Sequence, residues 1–162
     1  RMHGQTGKYY HTSLGLNYRL TDVEAAIGLE QMKRLDAMLE IRRRNAAALT
    51  AGLSGIAGLS LQKVTPQGTH AWHQFCVLVE PAEFGCTRDQ LAERLQAQGV
   101  ASGVHYPRGL HQQPIFEQMY GKCALPVTER LADTILALPV HHGLSAADVE
   151  TVVDAVRKSA GA

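Results

Sequence analysis

The sequence predicts an α/β chain in which a long helix leads into a small, mostly antiparallel sheet with helices packed on one face. Three observations carry that expectation. An apolar stripe at helical spacing runs from Val23 to Leu53. Phe75, Val77 and Val79 then alternate with period two, as a strand with one buried face requires. Finally, Thr21-Asp22-Val23-Glu24, Thr87-Arg88-Asp89-Gln90 and Ser145-Ala146-Ala147-Asp148 each have the form of a capping box, in which side chains at both ends satisfy the free amides of a helix start.

Taken in order, residues 1–20 are rich in Gly, His and Tyr and follow neither periodicity, so they read as a loop. The chain opens on Arg1, which gives it the look of a sequence entered partway through. From Thr21, the residues Val23, Ile27, Leu35, Leu39, Ala46, Leu49 and Leu53 predict one helix of about thirty residues, a length suited to bridging two domains. Leu59–Leu61 and Gln74–Val79 are expected strands. A helix follows from the second capping box, with Leu91, Ala92 and Leu95 inward and Gly99 at its end. Val100–His105 reads as a third strand, giving the order β-β-α-β. Pro114 and Pro126 suit first helical positions, predicting short helices at 114–119 and 126–136. The last helix presents Val149, Val152, Val153 and Val156 on one face.

Composition narrows the function classes. Sixteen Lys and Arg against fifteen Asp and Glu leave a formal charge of +1, too little for the electrostatic footprint of nucleic-acid binding. The run Arg42-Arg43-Arg44 falls in the helical pattern and reads as a solvated or acid-paired face. Cys76, Cys86 and Cys123 are odd in number and widely spaced, which suggests neither a disulfide framework nor a zinc site and points to a reducing, cytoplasmic setting. No apolar run approaches a membrane span.

Eight histidines invite a metal reading, but their spacing gives it little support. His70 and His73 sit at a loop-to-strand junction, and the adjacent His141 and His142 would point to opposite faces of a strand. No metal site is expected. Serine-hydrolase elbows, Walker loops and dinucleotide turns are absent from the sequence. What remains is the polar cluster Asn17-Tyr18-Arg19 before a helix start, with His105-Tyr106-Pro107 and His111. An amide, a guanidinium and an imidazole suit anion recognition. From the residues alone, Asn17 and Arg19 serve equally well as turn and helix-entry contacts.

The run from Gly15 to Gly28, GLNYRLTDVEAAIG, resembles the signature of the DegT/StrS sugar aminotransferases. His3-Gly4 with Lys8-Tyr9, then His70-Ala71-Trp72-His73, Gly103-Val104-His105-Tyr106-Pro107 with Leu110-His111, and Leu138-Pro139-Val140 with Leu144-Ser145 match the same family in the same order. The resemblance covers nearly the whole chain. It implies a type I fold of the pyridoxal-phosphate-dependent transferases, with residues 1–20 ending the large domain, 21–53 forming the connecting helix and 54–162 the small C-terminal domain. It also implies a homodimer with its active site at the subunit interface. There Asn17 would bind the phosphate of pyridoxal 5'-phosphate (PLP) held by the partner subunit, and Arg19 would approach the phosphates of a nucleotide sugar. His105 and Tyr106 would lie at the substrate mouth, with His3 and Lys8 on a loop bordering the partner's site.

The implied reaction moves an amino group, with glutamate as the expected donor, to a keto-sugar nucleotide. The family's cofactor-binding lysine lies upstream of the segments matched here, and none of Lys8, Lys33, Lys63, Lys122 or Lys158 stands in its sequence context. The chain alone is therefore expected to be inactive. Two rivals remain at this stage: a PLP-dependent sugar dehydratase of the same family, separated from an aminotransferase by the lysine position, and a stand-alone small-molecule binding or regulatory module.

Overall fold

A computed structural model describes residues 3–161; Arg1, the residue behind the impression of a chain entered partway, lies outside them. The chain divides into two compact units, with the boundary between Ala37 and Met38. Each is described by itself.

The first unit opens with a short antiparallel hairpin of β1 (Gln5–Gly7) and β2 (Tyr10–His11), in a stretch whose sequence reads only as loop. Helix α1 (Asp22–Met32) starts at the expected capping box: the Thr21 amide donates to Glu24 Oε2 at 2.9 Å and the Glu24 amide to Thr21 Oγ1 at 3.3 Å. The expected single helix over 21–53 is instead two helices. At Lys33-Arg34 the backbone tightens, the Arg34 amide donating to the Gln31 carbonyl at 3.0 Å in an i to i−3 bond, and α2 (Leu35–Leu53) begins afresh. Neither Gly nor Pro marks this break. The apolar stripe changes character along its length as well: Ala46, Leu49 and Leu53 are buried, whereas Val23 and Ile27 are 71% and 60% exposed.

The second unit is built on a three-stranded antiparallel sheet of order β3-β4-β5, with β3 at Leu59–Leu61, β4 at Phe75–Val79 and β5 at Ile135–Leu138. In the central strand Phe75, Val77 and Val79 are buried, as their alternation predicts, while Cys76 and Leu78 on the other face are half-buried. Against the buried face pack α2 through Leu49 and Leu53, α4 (Arg88–Ala97) through Leu91 and Leu95, and α7 (Ala146–Ser159) through Val149, Val152 and Val156. Short helices α3 (Pro81–Phe84), α5 (Pro114–Tyr120) and α6 (Pro126–Thr134) each start on a proline, where the missing amide leaves no helical bond unmade.

The third strand is not Val100–His105. That segment makes one bridge, Gly103 to Ala137, through two backbone bonds of 3.0 and 2.8 Å, and β5 takes the place expected for it. The helix expected over 126–136 ends at Thr134, because Ile135 turns to extended geometry. The run Ile135-Leu-Ala-Leu138 is short and continuously apolar, a pattern that periodicity cannot assign to helix or strand.

Arg88 locks this transition. Its side chain is buried, and one guanidinium nitrogen donates to the Ala132 and Ile135 carbonyls, both at 3.0 Å, joining the end of α6 to the start of β5. Asp89 lies 2.6 Å from Nε but out of line for a hydrogen bond, so that contact is an ion pair. Arg88→Met keeps most of the packing and strands two carbonyls; we expect a loss of about 2–3 kcal/mol in urea unfolding.

Candidate functional site

One concavity of the second unit is a cleft of about 340 Å³ whose floor is the end of β5 and the turn after it, Ala137 to His141. One wall is His73-Gln74 and the other is Ala101 to His105. Helix α2 ties two sides of it together. Arg42 donates to the Trp72 carbonyl at 2.8 Å and the His73 carbonyl at 3.3 Å, and the buried Asn45 amide donates to the His141 carbonyl at 3.1 Å. The bridge between Gly103 and Ala137 fixes the remaining wall. Gly103 also lets the His105 ring lie close, since a Cβ there would stand 2.7 Å from His105 Nε2.

The sequence-predicted site residues fall in both units. Asn17 and Arg19 belong to the first, on the exposed approach to α1, where the Arg19 amide donates to the Asn17 carbonyl at 2.9 Å in a tight turn. His105 and Tyr106 belong to the second. His105 lines the cleft, and the Tyr106 ring meets it edge-on with centroids 5.8 Å apart while remaining 72% exposed. His3 and Lys8 are exposed on the segment of the β1-β2 hairpin.

Sequence reasoning missed that Arg42, His73 and His141 join His105 around one cleft. Arg42 lies in the run read as a solvated or acid-paired face, and its neighbour Arg43 does pair with an acid, Glu40, at 3.6 Å. No local signal could have linked residues so far apart in the chain. His141 Nδ1 accepts a bond from the Gly143 amide at 3.2 Å, which leaves Nε2 as the donor of the neutral ring.

His111 makes a separate arrangement. Its side chain is only 8% exposed, with Nε2 3.0 Å from Glu129 Oε1, and the same carboxylate oxygen accepts from the Leu125 amide at 2.8 Å. The pair clips the turn Leu110–Gln112 to the start of α6. The Leu125 amide first, and then His111, hold the Glu129 carboxyl below its ordinary range. Ser145 lowers Asp148 through its hydroxyl and then its amide, and the Thr21 amide and hydroxyl lower Glu24. For each group a folded pKa below the unfolded one means stability that is present above the unfolded pKa and lost as the pH falls through the folded one. Unfolding midpoints should therefore drop as the pH descends through and below the ordinary carboxylate range. Combining Glu129→Gln with Asp148→Asn should flatten that acid limb.

Among the described residues, no group of three or more His, Cys, Asp or Glu is placed to hold a metal ion. Burial pushes the Cys76 thiol up, away from the thiolate that a nucleophile requires. No described helix is long and apolar enough to cross a membrane.

The sequence profile of the DegT/DnrJ/EryC1/StrS aminotransferase family matches residues 1–157. Among solved structures, the aminotransferase TlmJ from Streptoalloteichus hindustanus is 33% identical over 92% of this chain and 39% of its own, with a TM-score of 0.79. DesV of S. venezuelae, solved with a ketimine intermediate, is 30% identical over 100% of this chain and 42% of its own, with a TM-score of 0.85. DesI, solved in the presence of its TDP-sugar product, is 27% identical over 92% of this chain and 38% of its own, with a TM-score of 0.81. The chain thus spans roughly two fifths of the length of these relatives.

Proposed function

Because this chain belongs to the DegT/DnrJ/EryC1/StrS aminotransferase family, we propose that it forms the small-domain part of a cytoplasmic, homodimeric PLP-dependent enzyme that aminates a keto-sugar nucleotide, with glutamate as donor. The observation that carries this reading is the run GLNYRLTDVEAAIG at residues 15–28, within a chain that superposes over its whole length on DesV. The TDP-sugar product of DesI supports the substrate class.

The residues present fit the cofactor's anionic end. Asn17 and Arg19 are exposed on the turn before α1, and an amide and a guanidinium are both donors to phosphate oxygens. In this reading the Asn17 amide donates to the phosphate of PLP bound to the neighbouring subunit, while Arg19 steadies the nucleotide-sugar phosphates. His105 and Tyr106 border the sugar. PLP, when bound, supplies the electron sink for the reaction at the amino-bearing carbon. This chain's own contribution is to hold and orient. None of its five lysines stands in the context of the family's covalent lysine, so the 162-residue chain alone is inactive.

The test is to isolate the native polypeptide from its source cells with an antibody to this chain. We expect bound PLP, at most one equivalent of 2-oxoglutarate per site from glutamate alone, and continued release of 2-oxoglutarate only when a keto-sugar nucleotide is present to take the amino group. A polypeptide that neither binds PLP nor consumes glutamate would overturn the assignment. Asn17→Ala in that polypeptide should weaken PLP binding about tenfold, the value of one hydrogen bond to a charged group, measured by titration of the apoenzyme.

A further inference from the structure

The geometry points to the cleft of the second unit as an oxyanion site that takes a carboxylate or phosphate group. Its polar lining is Arg42, His73, Gln74, Ser102, His105 and His141. Every one of these side chains can donate a hydrogen bond, and no carboxylate lines the cleft. Arg42 brings a permanent positive charge. Its bonds to the Trp72 and His73 carbonyls use one nitrogen of a five-donor group, so they orient the guanidinium without exhausting it. His141 accepts at Nδ1 from Gly143 and so keeps an N–H at Nε2.

The walls are also fixed before any ligand arrives. Arg42 holds one, the buried Asn45 holds the turn at His141, and the paired Gly103 and Ala137 hold the last. Donors on walls already tied to the core spare a ligand the cost of ordering them. Leu138, Pro139 and Val140 supply an apolar floor, which suits an oxyanion carried on a short carbon stem. The site shares His105 with the substrate reading above but rests on the cleft alone, and simple anions test it without PLP or sugar.

The experiment follows the histidine ring signals of the 162-residue chain by NMR during titration with inorganic phosphate and with succinate, against chloride at matched ionic strength. Saturable shifts of His73, His105 and His141, absent with chloride, are expected. A response to phosphate alone would identify the ligand as a phosphate ester, and a response to succinate alone as a carboxylate. His105→Asn and His141→Asn should each weaken binding about tenfold. His142→Asn, outside the lining, should leave it unchanged. Ser102→Ala serves if a histidine variant fails to fold, with a weakening of about fivefold expected. Linear shifts, equal shifts with chloride, or unaltered affinity in the folded variants would overturn the proposal. Failure here would leave the aminotransferase reading standing, because Asn17 and Arg19 play no part in the measurement.

Discussion

Phe75→Ala is expected to cost about 3–5 kcal/mol, the range for truncating a fully buried aromatic. Phe75 is 1% exposed at the start of the central strand, pairs across the sheet with Leu138, and stacks on Trp72 with centroids 5.5 Å apart. Domains of this size hold only about 5–15 kcal/mol in reserve, so one such cavity removes a large part of it. The melting temperature should fall by roughly 10–20 °C. Cys76→Ala, one residue along and on the half-buried face, should cost less than about 1 kcal/mol. Equal effects at 75 and 76 would mean that the core does not lie on the face assigned to it. The loss should reach the cleft too, since Leu138 is both the partner of Phe75 and part of the cleft floor. A folded Phe75→Ala chain should therefore bind phosphate or succinate more weakly than the wild type.

The features legible in the sequence were those encoded within a few residues. Thr21, Thr87 and Ser145 each announce a helix because a capping box closes over three residues, and all three boxes form. The alternation of Phe75, Val77 and Val79 likewise reports its buried face directly. Where a choice depended on distant partners, local signals gave out. Ile135 to Leu138 becomes a strand because the exposed edge of β4 is there to receive it, and Val100 to His105 is left with one bridge on the far side of β5. The break at Lys33-Arg34 has no glycine or proline to announce it. The candidate site divides in the same way. Asn17 and Arg19 were singled out by a contiguous run, whereas the gathering of Arg42, His73 and His141 around His105 needs the sheet to be assembled first.

The isolated chain should self-associate, and α1 should be the seat of it. Val23, Ile27, Leu29 and Met32 are 71%, 60%, 66% and 63% exposed, and at 100° per residue they occupy two sides of the helix rather than one. A helix apolar on opposite sides is suited to burial all round, and an exposed surface of this kind marks an interaction site. In the proposed enzyme that cover would come from the large domain and the neighbouring subunit. Alone in solution, other copies of the chain are the cover available. Light scattering after size exclusion should then show a mass that rises with concentration. Val23→Glu with Ile27→Lys places a carboxylate in the first turn and a cation four residues on, an arrangement that favours the helix, and Leu29→Gln with Met32→Gln in the same variant completes the removal of both apolar sides. That variant should run as a monomer with unchanged helix content and an unchanged urea midpoint for the second unit. A wild-type chain that stays monomeric at every concentration would refute self-association. A variant that still associates would move its seat to the exposed Ile115, Met119 and Tyr120 of α5, where the second unit shows its own uncovered apolar surface.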